Sequence, residues 1–98
     1  MEKITKPNIR LIASGKNLVV KQMQAEAGAL LPEHVADMES ILFIHEGECI
    51  LNINEKDIVL KTGEGYVIPP EIRHQIRVIN DLKGLHFMPV EIKFDFFN

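Results

Sequence analysis

Apolar residues in this chain fall at alternate positions, in short runs closed by turn residues, and a period of two dictates strands rather than helices. Leu18-Val-Val-Lys-Gln-Met reads as a strand, followed by a loop around Gly28 and Pro32. Ile41-Leu-Phe-Ile is a continuous apolar run closed at Gly47. It is too short for a helix and reads as a strand covered on both faces. Cys49, Leu51 and Ile53 then share one parity, and after the polar turn Asn54-Glu55 the residues Ile58 and Leu60 continue the buried face of a hairpin. A turn at Gly63-Glu-Gly65 leads Tyr66-Val-Ile into Pro69-Pro70, where the sheet stops because proline cannot donate to a ladder. His74, Ile76 and Val78 lie on one side of the next strand. Asn80-Asp-Leu-Lys-Gly84 reads as a turn, Leu85-His-Phe-Met as a further strand, and Ile92-Lys-Phe-Asp-Phe96 as an alternating tail. Strands at roughly 8–12-residue spacing predict an all-β sandwich or barrel. Its inward set is Leu42, Ile44, Cys49, Leu51, Ile53, Ile58, Leu60, Ile76 and Val78.

The length of 98 residues predicts one domain spanning 1–98, with no linker or internal repeat. No apolar run approaches the roughly 20 residues that span a bilayer, and the Met1-Glu-Lys start lacks the pattern of a signal peptide. A single cysteine, Cys49, excludes an internal disulfide and a cysteine-based zinc knuckle, so a cytoplasmic residence is expected. Eleven Lys/Arg against fourteen Asp/Glu give a net charge of −3, and the basic residues are scattered. Neither a nucleic-acid partner nor a membrane partner is expected. Ile41 and Phe43 point opposite to Leu42 and Ile44, and the tail adds Phe94, Phe96 and Phe97. Apolar surface of that extent on a small domain predicts a homodimer.

Two segments carry a resemblance. Gly28-(x5)-His34-x-Ala36-(x3)-Ser40-(x6)-Gly47 resembles the first cupin motif, G(x)5HxH(x)3-4E(x)6G, and Gly63-(x5)-Pro69-x-Glu71-(x2)-His74 resembles the second, G(x)5PxG(x)2H(x)3N. Fifteen residues separate Gly47 from Gly63, as in small bacterial cupins. The resemblance runs from about Leu18 to Met88 and implies a cupin barrel, a double-stranded β-helix of the jelly-roll kind. It also implies where this chain departs. Metal-binding cupins supply three His and one Glu, whereas here His34 and His74 stand at the first and last of those positions, with Ala36 and Ser40 at the other two. Glu71 replaces the second motif's glycine and Val78 its asparagine.

By that resemblance His34 and His74 are the candidate catalytic or ligand-gripping residues, in a pocket with Ser40, Leu42 and Ile76. Any metal would be held by His34 and His74, with Glu39 or His86 as extra ligands. Glu39 lies one residue from the glutamate position, and a one-residue slip turns a side chain to the opposite face unless the strand is bulged. The apolar neighbours of His86 favour Leu85 and Phe87 as the inward pair. His45 is expected outside, Asp37 in a solvated loop, Cys49 and Tyr66 in the core, Arg77 facing out and Arg73 on a loop. A divalent zinc, nickel, manganese or iron ion is expected to bind weakly or not at all, because the anionic ligand is missing. Three functions stay open: a small-molecule-binding barrel acting on a sugar or small acid; a metal-dependent isomerase, epimerase or dioxygenase with an altered ligand set; and a non-catalytic sensing or assembly domain.

Overall fold

The computed structural model describes residues 3–97. Eight strands form: β1 (Asn8–Ser14), β2 (Leu18–Ala25), β3 (His34–Ala36), β4 (Ser40–Ile53), β5 (Lys56–Lys61), β6 (Gly65–Ile68), β7 (His74–Pro89) and β8 (Phe94–Phe96). All pair antiparallel in one sheet ordered β1-β2-β7-β3-β8, and β4 joins it by pairing with β5, β6 and β7. The sheet curls on itself as a cupin jelly roll does. No helix among the described residues is long and apolar enough to cross a membrane.

The curl is built on β4 and β7, which pair along nearly their whole length. Their ladder breaks register between Ile44 and Cys49, around Gly47 with φ +99°. The break is a bulge, and it changes which parity faces inward. Leu42 and Ile44 point to the core before it, and Cys49, Leu51 and Ile53 after it. Every member of the expected inward set lies there, eight buried and Ile58 half-buried against them. Leu31, Ile68 and Leu82 complete the cluster.

Two expectations need correction, and one strand was not anticipated. Asn80–Gly84 is not a turn: β7 passes straight through it, because Leu82, Lys83 and Gly84 bond to Ala25, Gln24 and Met23 of β2. Ile41-Leu-Phe-Ile is not covered on both faces, since Ile41 is 44% exposed. Asn8–Ser14, unassigned from the sequence, is an edge strand on β2.

Candidate functional site

The loop after β2 is clamped onto β7 by backbone bonds from Gly28 N–H to the Val78 carbonyl and from Leu31 N–H to that of Ile76. This delivers the three-residue β3 beside β7 with His34 and His74 as direct cross-strand partners. Their rings meet edge to face with centroids 4.3 Å apart. Each donates its Nδ1–H to the carbonyl two residues back, His34 to Pro32 at 3.3 Å and His74 to Ile72 at 3.0 Å. A carbonyl only accepts, so each neutral ring keeps Nε2 as an acceptor. Burial, reinforced by the neighbouring His74, pushes the His34 pKa down to about 4. Burial also lowers His74, against the opposing bond to Ile72 and the charge of Glu33.

His86 joins them from the far half of β7. Its Nε2 lies 2.8 Å from the buried Ser40 hydroxyl. Burial, then the nearby His34, His74 and Lys21, hold its pKa at about 4. The expectation that Leu85 and Phe87 face inward is therefore corrected: His86 shares the inward face with Gly84 and Met88, and Phe87 is 41% exposed. Gly84 matters here because a Cβ on it would come within 3.3 Å of the Met23 side chain and 3.4 Å of that of Leu42.

The other candidates are placed as follows. Glu39 is exposed at the end of the loop that precedes β4, and the β4–β6 register that starts at Ser40 is unbroken. Asp37 is exposed and accepts from Lys93 N–H. His45 is exposed, Tyr66 packs on the core, and the buried Cys49 thiol is pushed up to about 11 by burial and the neighbouring Glu48. Arg73 pairs with Glu33 at 2.9 Å and lies 3.7 Å above the Phe97 ring, which ties down the tail. Arg77 is half-buried between the inward Ile76 and Val78.

A cavity of about 520 Å³ opens beside these histidines. Of the residues named for the pocket, His34 and Ile76 form part of its wall, while Ser40, Leu42 and His74 do not line it and are buried. The wall also includes His86, named above only as an extra ligand, and Lys21, Met23, Met88, Phe94 and Phe96, which the sequence reading did not place there. Phe94 pairs with Ala36, and its ring lies 5.4 Å from that of His34 and 5.9 Å from that of His86. A phenyl group thus packs against two of the imidazoles, next to the alanine at a family ligand position. Among the described residues no three His, Cys, Asp or Glu side chains gather as a metal ion requires. With no carboxylate among the described residues lining the cavity, and Ala36 and Ser40 at two of the family's ligand positions, this side-chain set does not fit the usual metal of the family.

No curated protein matches the sequence. Solved structures do match in fold. A cupin-2 domain protein from Shewanella frigidimarina is 24% identical with a TM-score of 0.74, over 91% of this chain and 84% of that one. A conserved protein of unknown function from Streptococcus pyogenes is 16% identical with a TM-score of 0.76, over 91% and 78%. Salicylate 1,2-dioxygenase from Pseudoaminobacter salicylatoxidans, solved with gentisate, is 12% identical with a TM-score of 0.81; this chain spans 29% of its length. The family model for the cupin domain matches residues 21–90, which include β3 through β7 and all three clustered histidines. With a curled antiparallel sheet, His34 and His74 at the two motif positions and that match together, the chain belongs to the cupin domain family.

Proposed function

We propose that this cupin binds a small organic molecule in the cavity beside His34 and His86 and does so without a resident metal. The observation that carries the reading is the wall itself: imidazoles kept neutral by burial, set among Met23, Ile76, Met88, Phe94 and Phe96. Largely apolar concavities with a few convergent polar groups are what small ligands occupy. An imidazole held near 4 is a weak base at neutral pH, so His34 is better suited to accepting a hydrogen bond than to removing a proton. Binding rather than proton transfer is the role the geometry supports, and the protein acts as a homodimer.

The test is tag-free purification, elemental analysis, and a thermal-shift screen of small acids, sugars and amines. Substoichiometric metal is expected, together with a ligand that raises the melting temperature through mass action. One tightly held equivalent of zinc, nickel, manganese or iron, lost on changing both His34 and His74 to alanine, would instead establish the metal-dependent enzyme. That second reading draws on the two Nε2 atoms left without a backbone partner.

A further inference from the structure

We propose that the cavity takes a small monocarboxylate with an apolar body, its carboxylate set against Lys21 and its body between Met23, Ile76, Met88 and Phe94. The proposal rests on the small-molecule reading above and adds the chemical class. Lys21 sits in mid-β2 as the register partner of His86, on the concave side of the sheet, with Leu11 of β1 on its other flank. It lines the cavity, and Lys6 lines it as a second cation. Among the described residues no aspartate or glutamate lines the same cavity. Among the described residues Lys21 forms no ion pair; the cation–carboxylate pairs lie elsewhere, at Arg73–Glu33 and Lys83–Glu46.

The charge pattern therefore selects. A cationic ligand would meet Lys21 and Lys6 with no anion to balance it. A sugar would set its hydroxyls against thioether, alkyl and phenyl walls, where each unpaired polar group is costly. A phosphate needs several donors around its oxygens, and His34 turns an acceptor nitrogen rather than a donor to its surroundings. A single carboxylate asks for one cation at one end and hydrocarbon at the other, which this wall supplies. The neutral histidines cannot balance an anion, so that task falls to Lys21. A volume of about 520 Å³ admits a phenyl ring with a short acid arm.

Calorimetric titration at pH 7.5 would compare phenylacetate, phenylacetamide and phenethylamine, which share a body and differ in charge. Phenylacetate is expected to bind about tenfold more tightly than the amide, with the amine weakest. Added salt should shrink that preference. Lys21→Met keeps the alkyl stem and should bring acid and amide to equal affinity, whereas Lys21→Arg should keep the preference. Equal affinities in the wild type, or a preference untouched in both Lys21→Met and the Lys6→Met/Lys21→Met double variant, would overturn the carboxylate assignment and leave the small-molecule reading standing. Failure of every acid, amide, sugar and amine in the screen to bind would remove that reading, and this proposal with it.

Discussion

Three histidines buried together make acid the natural stress on this protein. In the folded chain His34 and His86 hold their protons only below about pH 4, whereas the unfolded side chain titrates at 6.5. The unfolded state therefore binds more protons between those values, and stability falls as pH drops through the window. Above pH 6.5 both states are neutral and the full stability is present. The loss should be on the order of 3 kcal/mol for each of His34 and His86 by pH 4. Urea midpoints between pH 7.5 and 4 would show it. His34→Asn and His86→Gln, which carry no titrating ring, should each flatten the slope, and a wild-type midpoint that stayed level down to pH 4.5 would contradict the cause given. His34 and His74 were legible in the sequence because the motif offsets place them. His86 was not, although a signal existed. The even parity of His74, Ile76 and Val78 runs on through Leu82, Gly84 and His86, and inserting a turn at Asn80 broke that count.

At the level of the strands, the bend in the β4–β7 pair depends on one residue. Gly47 has φ +99°, and a Cβ there would run into the Asp81 carbonyl oxygen, with the Asn80 oxygen at 2.9 Å. Gly63 has nearly the same φ, +87°, but open space where a Cβ would go. Gly63→Ala should cost about 1 kcal/mol, the penalty of a left-handed alanine alone. Gly47→Ala should cost at least about 2 kcal/mol more, because backbone must move and the register break that redirects the core residues moves with it. Chemical denaturation of the two variants compares them directly, and equal losses would mean that the Asn80–Asp81 backbone yields easily. The same contact explains why Asn80–Gly84 misled a local reading. Its Asn, Asp and Gly are turn formers, yet β2 on one side and β4 on the other both bond to this stretch and keep it extended. Pairing across the sheet outweighs local preference, and a single sequence does not display it. β1 escaped for a related reason: exposed along its length, it has no buried face to impose a pattern.

For the whole molecule, the question left by the fold is what covers its outer face. The tail supplies part of the answer: Phe94 is half-buried against the chain's own cavity, whereas Phe96, at the cavity wall, and Phe97, under Arg73, stay 61% and 45% exposed. The sheet supplies a continuous row. Val67, Ile41, Phe87 and Val20 are consecutive register partners across β6, β4, β7 and β2, and so form one row on the side away from the core. Val67, Ile41 and Phe87 in that row are 51%, 44% and 41% exposed. Phe43 and Leu85 pair in the adjacent outward row. Such a face on a chain with net charge of only −3 is best covered by a second copy, because two twisted sheets of the same shape stack without a new surface being needed. A stable pair requires about 800 Å² from each partner. Light scattering at micromolar concentration should therefore give twice the 11.2 kDa chain mass. Ile41→Lys with Phe87→Lys places four like charges across the proposed contact and should yield monomers that remain folded, since both side chains point away from the core. Their ligand binding should persist as well, because the cavity lies on the opposite face of the same strands. A wild-type protein that sediments as a monomer at these concentrations would mean that the row is simply tolerated in water, and the double variant would then change nothing but the charge.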